Sequence, residues 1–386
     1  MVQTGCGGHV RRVVHCWPCH EASRWSRKAR APSTASPDSR TRRAISAHRA
    51  HSSADGSCLA QAAEAGGLHR VWLTEGTNSD AIVRAVAAGA VTSSVLIGTG
   101  IAYSFVRPPL HMAATAADVQ EALDGRFALG IGPGTRGIRR RYGIVEDHPA
   151  PRFGEYVDLM KAALATEHGF EFSGRFFTSS APLLHYEGDR ERRLSLPIYG
   201  SGLNRFMLES AAAHCDGIAL HPLTGIEPYL QNVTLPAIER GAERGSERGT
   251  RRPVLAMWHI TSVHPDRTIA RQRAPIVLAF YFSTPSYART LEGTGWEGVA
   301  TTLQEEFRKS TPHIDWSPIA EKVPDDMLDA ICLAGTAEDV AAKTPVLEER
   351  YAKAGIEELV FEPTSHGGVE MLAQSCSGIV AAAAIP

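Results

Sequence analysis

The chain has 386 residues, with 40 Lys and Arg against 42 Asp and Glu, so its formal net charge is −2. This balance predicts no binding to nucleic acid or to an anionic membrane surface. A composition that is 43% hydrophobic and 21% charged excludes a largely disordered or fibrous chain. No run approaches the roughly 18 consecutive apolar residues of a membrane span. Seven scattered cysteines favour a reducing compartment, so we expect a soluble cytoplasmic protein.

Residues 1–56 differ from the rest of the chain. They carry ten Arg and Lys against three Asp and Glu and show no sustained apolar period, so we expect this segment to be disordered. Its one strand-like stretch covers residues 10–17. Cys16 and Cys19 form a CxxC pair flanked by histidines, which either a zinc or redox site or chance would explain. We favour chance, because no second ligand pair follows at finger spacing.

From residue 57 onward, strands and helices alternate. Buried-type apolar runs that indicate strands begin near residues 71, 95, 126, 197, 217, 254 and 358. The helices between them are predicted over 80–91, 108–123, 153–165, 204–213 and 229–241. Apolar strands separated by helices predict a parallel sheet covered on its faces. Seven strands at this spacing suggest a (β/α)₈ TIM barrel with one strand unaccounted for. A doubly wound open sheet is the competing architecture.

The barrel domain is expected over residues 57–366, with a helical insertion at about 266–345. Residues 367–386 then form a C-terminal tail or a last helix.

In either architecture the ligand-binding residues lie at the carboxyl ends of the strands. The first of the seven runs ends at Glu75, which is either a pocket acid or the cap of the next helix. The second contains Gly98 and Gly100, where a tight barrel corner and a close approach to a ligand are equally consistent. The third is followed by Gly132 and Gly134, which leave the backbone bare where a ligand would lie.

The fourth run leads straight into a helix. Bare amides at a helix N-terminus, helped by the macrodipole, form an anion site that suits a phosphate. An ordinary turn that needs glycine is the alternative. We favour the phosphate site, which would use Gly200, Ser201, Gly202, Leu203 and Asn204.

Two histidines lie on later strands. His221 comes just past the strand at 217–220, and His259 lies inside the strand at 254–263, on the same face as Met257. Each is either a proton donor or a hydrogen-bonded core residue. A group of aromatic residues in the long helical segment would wall an apolar substrate pocket or pack against the barrel. This group consists of Phe280, Tyr281, Phe282, Tyr287 and Trp296.

These strand ends, in this order, resemble the luciferase-like flavin monooxygenase superfamily, and within it the coenzyme F420-dependent oxidoreductases of actinobacteria. The resemblance covers roughly residues 57–364. It rests on segments 71–75, 97–102, 125–132, 200–202, 213–217 and 279–287, followed by Gly295 and Trp296.

The resemblance implies a (β/α)₈ barrel whose first strand, normally just before the helix near residue 57, is missing or atypical. It also implies a flavin-type cofactor at the carboxyl end of the strands. The cofactor phosphate would lie on residues 200–204 and on the amides after Gly132, and a non-prolyl cis peptide between Gly100 and Ile101 would support the ring. The cofactor-binding set is therefore Gly98, Gly100, Ile101, Gly132, Gly134, Gly200, Ser201, Gly202, Leu203 and Asn204, with no metal.

The acid and base residues of the family are not carried over. Gly76 stands where several members have a histidine, and Gly134 and Thr135 stand where some have a glutamate. Proton transfer is therefore assigned to Glu75, His221 or His259.

The expected function is hydride transfer between a small organic substrate and the deazaflavin coenzyme F420. An FMN-dependent monooxygenase that uses oxygen and a non-catalytic relative with a damaged barrel are the alternatives, and a homodimer is the oligomer that the resemblance suggests. Two consequences follow. Gly202→Asp should abolish cofactor binding with little loss of fold, and removing residues 1–50 should leave stability nearly unchanged.

Overall fold

The parallel strands close into a complete barrel in the computed structural model. In chain order the strands are β1 Arg42–Ala47, β2 Arg70–Leu73, β3 Leu96–Thr99, β4 Ala102–Tyr103, β5 Phe127–Gly132, β6 Phe170–Ser173, β7 Thr178–Ala181, β8 Ile198–Gly202, β9 Gly217–Leu220, β10 Val254–Val263, β11 Cys332–Gly335 and β12 Glu358–Pro363. The barrel order is β1, β2, β3, β5, β8, β9, β10 and β12, and β12 pairs in parallel with β1. This closure confirms the (β/α)₈ barrel and excludes the open sheet.

The structure describes residues 41–47, 53–145, 148–166, 169–181, 195–310, 314–364 and 369–384. All of them belong to one compact unit, Ser39–Pro386. The strand-like stretch at residues 10–17 and the CxxC pair lie outside the described residues.

Helices cover the outside of the barrel. They are α1 Ser53–Ala65, α2 Ala81–Ala90, α3 Pro109–Ala122, α4 Arg136–Arg141, α5 Pro149–Ala165, α6 Arg205–His214, α7 Leu235–Ser246, α8 Arg267–Phe282, α9 Glu297–Ser310, α10 Ser317–Ala320, α11 Asp325–Ile331, α12 Ala337–Lys353 and α13 Val369–Ala384. Side-chain caps fix several starts: Asp80 accepts from two amides of α2, and Thr336 and Asp339 form a capping box on α12. No helix in the described part of the chain is long and apolar enough to cross a membrane.

The first barrel strand is present, which corrects two expectations. β1 lies between β12 and β2, with Ile45 opposite Phe361 on one side and Val71 on the other. Ile45 is fully buried, and Arg43 forms a salt bridge to Glu348 on α12 with an N–O distance of 2.6 Å. The strand is therefore neither missing nor disordered, although it falls inside the segment 1–56. α1 likewise begins at Ser53, inside the same segment.

The segment between β10 and β12 is mostly helical, but it also contains a strand. β11 pairs in parallel with the second half of β10, from Ile260 opposite Cys332 to Val263 opposite Gly335. The boundary at 345 falls inside α12, which covers the barrel like the other outer helices. Residues near the C-terminus form α13.

Side chains fill the barrel interior, so the barrel is not a pore. The interior cluster consists of Ala44, Trp72, Ala128, Tyr199, Ala219, Ala256, Trp258 and Val360. These side chains leave no room for a ligand inside the barrel, below the carboxyl ends of the strands.

Candidate active site

Glycines at the barrel mouth make room for two tryptophans. A Cβ on Gly98 would lie 2.5 Å from Cε3 of Trp72, and one on Gly100 would lie 2.7 Å from Cζ2 of Trp258. At both glycines, tryptophan side chains fill the space that a Cβ would occupy. The peptide bond between Gly100 and Ile101 is cis, at the position that the resemblance implies.

The last residues of β5 and β8 meet at the mouth. A Cβ on Gly132 would lie 2.6 Å from Cδ1 of Ile101 and 3.4 Å from Cβ of Ser201. Gly134 has a φ of +67°, which explains why glycine stands there. Three loops that the sequence assigns to one cofactor therefore do come together.

The loop from β8 to α6 is already hydrogen-bonded within the protein. Ser201 Oγ donates to the carbonyl of Ala219 at 2.9 Å, and Asn204 Oδ1 accepts from the amide of Met207 at 3.1 Å. Asn204 is thus the N-cap of α6, and this contact occupies its Oδ1. The loop residues Gly202, Leu203 and Asn204 stay partly exposed at the start of that helix.

Gly202 cannot carry a side chain without moving α6, which argues against the expectation that Gly202→Asp has little effect on the fold. An added Cβ would lie 2.6 Å from Cβ of Met207 and 3.1 Å from the amide nitrogen of Leu208. We expect Gly202→Ala to lower the free energy of unfolding by about 1–3 kcal/mol, the usual cost of overpacking. Urea unfolding followed by circular dichroism measures it.

Gly298→Ala is the matched control, because nothing lies within 4 Å of its added Cβ. It should leave the free energy of unfolding unchanged or raise it slightly. Equal stability of the two variants would show that the β8–α6 contact is loose.

Glu75 lies at the mouth but is held by an ion pair. Its carboxylate accepts two hydrogen bonds of 3.1 Å from Arg107, whose guanidinium also reaches Asp80 at 2.6 Å. Burial raises the pKa of Glu75, and Arg107 opposes that shift. The side chain is 3% exposed. Its geometry therefore favours a structural clamp between the ends of β2 and β4 over a proton carrier.

His259 does not reach the mouth, which corrects its assignment as a candidate proton-transfer residue. Ala256 and Trp258 are the residues of β10 in the interior cluster, so the neighbouring His259 faces outward. Its Nδ1 lies 2.9 Å from the hydroxyl of Tyr351 on α12. Burial lowers the pKa of His259 to about 3, which makes it a neutral core histidine.

His221 is the histidine that the structure does place at the mouth. It follows β9 directly and starts a 3₁₀ turn, Pro222–Gly225, with its Nδ1 accepting from the amide of Leu223 at 3.2 Å. The ring packs against Tyr281 with centroids 4.7 Å apart and against Tyr287 at 5.1 Å. Burial lowers the pKa of His221 to about 3.

A buried carboxylate that shares Tyr281 as a neighbour with this histidine was not found from the sequence. Glu362 on β12 is 2% exposed and accepts a hydrogen bond from the hydroxyl of Tyr281. The sequence predicted Tyr281 either as a pocket wall or as a residue that packs the helical segment against the barrel. The signal for Glu362 was available, because Glu358, Val360 and Glu362 alternate along one face of their strand.

The mouth is thus an aromatic and polar cup. Tyr103 stands on β4, with its pKa raised to about 12, chiefly by burial. Tyr287 has a pKa raised to about 12, also chiefly by burial. No cluster of metal-ligating side chains occurs within the described ranges. The site can orient a flat organic molecule and donate hydrogen bonds to it.

The fold is that of a TIM-barrel protein of the bacterial luciferase type. The model of the luciferase-like monooxygenase family matches residues 39–357, so the chain belongs to that family. It is 27% identical over 303 residues to a 5,10-methylenetetrahydromethanopterin reductase from Archaeoglobus fulgidus, covering 77% of this chain and 86% of the relative.

Solved structures agree with the fold. The coenzyme F420-dependent tetrahydromethanopterin reductase from Methanopyrus kandleri superposes with a TM-score of 0.70 at 21% identity, over 87% of this chain and 98% of that one. An F420-dependent secondary alcohol dehydrogenase gives 0.64 at 22% identity, over 89% and 99%. The FMN complex of the oxygenating constituent of 3,6-diketocamphane monooxygenase from Pseudomonas putida gives 0.62 at 17%, over 90% and 100%.

Proposed function

We propose that the protein is an oxidoreductase that moves a hydride between a small organic substrate and coenzyme F420. The observation that carries the proposal is the similarity to the Archaeoglobus reductase over 77% of the chain, together with the F420-dependent structural neighbours. Family membership supports the broader class of oxidoreductase. A redox cofactor supplies the hydride chemistry, and the protein supplies orientation and hydrogen bonds.

The mouth fits such a cofactor on the residues present. Ile101, Gly132 and Ser201 converge on one cradle that a Cβ on Gly132 would fill. The start of α6 offers a helix N-terminus to a phosphate, next to Gly202, Leu203 and Asn204. The bound deazaflavin would supply the carbon that accepts or returns the hydride. The chain's own contribution is to hold the phosphate at α6 and to place the ring beside Ile101.

FMN is the second candidate, because the FMN-containing diketocamphane monooxygenase shares the fold with a TM-score of 0.62. We expect the purified protein to bind F420 more tightly than FMN in a fluorescence titration. Equal or tighter FMN binding with oxygen-dependent turnover would assign the protein to the monooxygenases. Binding of neither cofactor would favour the non-catalytic relative.

Asn204→Asp tests the phosphate site without disturbing α6. Aspartate caps a helix as well as asparagine does, but it adds a negative charge beside the bound phosphate. We expect at least about a tenfold weaker cofactor affinity, with the loss shrinking at high salt because salt screens the repulsion. Isothermal titration at two ionic strengths measures it.

Asn204→Ser is the control, since serine keeps the cap and adds no charge. Both variants should melt close to the parent temperature. If Asn204→Asp binds the cofactor as tightly as Asn204→Ser, the phosphate does not lie at the start of α6.

A further inference from the structure

We propose that three exposed arginines of α4, Arg136, Arg140 and Arg141, form an anion-binding rim at the mouth of the barrel and hold a carboxylate or phosphate group of the molecule bound there. These three residues are called the α4 arginines below. The anionic group belongs either to the substrate or to the cofactor. The inference uses the mouth to which the proposed function assigns the cofactor, but its first test needs no cofactor.

Contacts of its own residues hold α4 against the mouth. The helix begins two residues after Gly134, and Nη1 of Arg139 donates to the carbonyl of Gly134 at 2.7 Å. Tyr142 directly follows the helix, and its hydroxyl donates to the carbonyl of Gly76 at 3.4 Å. The ring of Tyr142 also lies edge-on to Tyr103 of β4, with centroids 6.1 Å apart. The α4 arginines are therefore carried by a helix that is attached to the strand ends.

The positive charge of α4 acts on the mouth itself. Burial raises the pKa of Tyr103 to about 12, and the charge of Arg141 opposes this rise. The charges of Glu75 and Asp80 also act on this corner of the mouth, but Arg107 forms ion pairs with both, at 3.1 and 2.6 Å. These two carboxylates therefore already have a cationic partner that is not on α4.

None of the α4 arginines has a carboxylate within salt-bridge distance among the residues that the structure describes, and all three are exposed. Exposed arginines elsewhere on the barrel do have such a partner. Arg244 pairs with Glu209 at 3.1 Å, and Arg252 pairs with Glu239. The α4 arginines thus differ from the ordinary charged surface of this protein.

Like charges are concentrated on α4. Residues 135–145 contain four arginines and no acid. Arg136 and Arg140 are i,i+4 neighbours on the helix, a spacing at which like charges repel each other. A bound anion would relieve this repulsion. Guanidinium groups donate paired hydrogen bonds to carboxylates and phosphates, and adjacent guanidinium groups favour a ligand with two or more negative charges.

The first test uses citrate and pyrophosphate as probes on the cofactor-free protein. By isothermal titration we expect saturable binding that weakens as sodium chloride is raised, because salt screens the attraction. The triple variant Arg136→Gln, Arg140→Gln and Arg141→Gln should bind both probes at least about tenfold more weakly. It should melt close to the parent temperature, since the replaced side chains are exposed.

A second triple variant is the charge-matched control: Arg251→Gln, Arg252→Gln and Lys353→Gln. These exposed cations lie far from the mouth, before β10 and at the end of α12. The control should bind both probes like the parent. An equal loss in the two variants would mean that net charge and not α4 attracts the anion. A parent that shows no saturable binding would mean that the α4 arginines form only a solvated charged face. Either result overturns the proposal.

A further titration identifies the molecule that supplies the anion. F420 carries a phosphate and an acidic side chain, and its free deazaflavin core carries neither. If the group belongs to the cofactor, the α4 variant binds F420 at least about tenfold more weakly and the core with unchanged affinity. If it belongs to the substrate, both affinities stay unchanged and the F420-loaded protein still binds citrate.

An equal loss of affinity for F420 and for the core overturns the anion site, because the core has no group for the α4 arginines to hold. A failure of the parent to bind F420, with citrate binding that still depends on the α4 arginines, overturns the proposed function and leaves the anion site supported.

Discussion

Removing residues 1–50 is expected to abolish the soluble native fold, because β1 is removed with them. β1 hydrogen-bonds to β12 on one side and to β2 on the other, so its loss opens the barrel and leaves two unpaired strand edges. Ala44, Ile45 and Ala47 are fully buried in that strand. The stabilising free energy lost with β1 is comparable to the roughly 5–15 kcal/mol by which a domain is stable. Soluble yield and a cooperative thermal melt by circular dichroism measure the effect.

A chain that begins at residue 39 is the matched control, because it keeps every described residue. We expect it to melt cooperatively and to stay soluble, so that the difference between the two truncations reports on β1. A single substitution makes the same point without truncation. Ile45→Asp places an unpaired carboxylate in the fully buried outer core, and we expect a loss of several kcal/mol. A truncation at residue 50 that melts within a few degrees of the control would show that the barrel closes without β1.

β1 escaped the sequence analysis because of its composition. The strand begins with two arginines and contains three small residues and a single isoleucine, which is a weak pattern for a buried strand. The arginines are accommodated at its start, where Arg42 pairs with Glu357 and Arg43 with Glu348. These acids lie more than 300 residues away along the chain, so the local sequence pattern does not reveal the ion pairs.

The remaining seven barrel strands were predictable, because each is a short apolar run between helices. Which face of a strand enters the barrel was not. Alternation placed Met257 with His259 and left open whether that face or the Trp258 face was interior. The outcome depends on volume: Trp258 fills the space beside Trp72, with ring centroids 5.2 Å apart. The side chain of His259 therefore lies on the outer side of the barrel wall, against Tyr351 of α12.

In the candidate site, too, local features were predictable from the sequence, and features that depend on tertiary contacts were not. The sequence located the loops at the mouth, since glycine-rich strand ends are local features. It assigned the bare backbone at Gly98 and Gly202 to ligand contacts, whereas the nearest atoms belong to Trp72 and Met207. Glycines that admit a ligand and glycines that admit a packed side chain have the same sequence signature. The grouping of His221 with Tyr281 and Glu362 depends on three elements that only tertiary structure brings together.

The floor of the barrel supports the second prediction, which concerns a buried ion pair. Glu358 is 0% exposed, accepts from Arg70 at 2.9 Å and accepts from the indole of Trp72 at 2.8 Å. The guanidinium of Arg70 lies over the Trp72 ring, 4.8 Å from its centroid. Glu358→Ala leaves a buried cation without its carboxylate, and we expect a loss of about 3–5 kcal/mol in the free energy of unfolding. Urea denaturation measures it.

The neighbouring residue provides the control. Glu357 pairs with Arg42 at 3.2 Å, but its side chain is 53% exposed, so Glu357→Ala should cost no more than about 1 kcal/mol. The double variant Arg70→Met with Glu358→Leu removes both charges together and should be more stable than Glu358→Ala alone, because no unpaired charge is then buried. If Glu358→Ala costs as little as Glu357→Ala, water must reach Arg70, and the floor of the barrel is open rather than sealed by this pair.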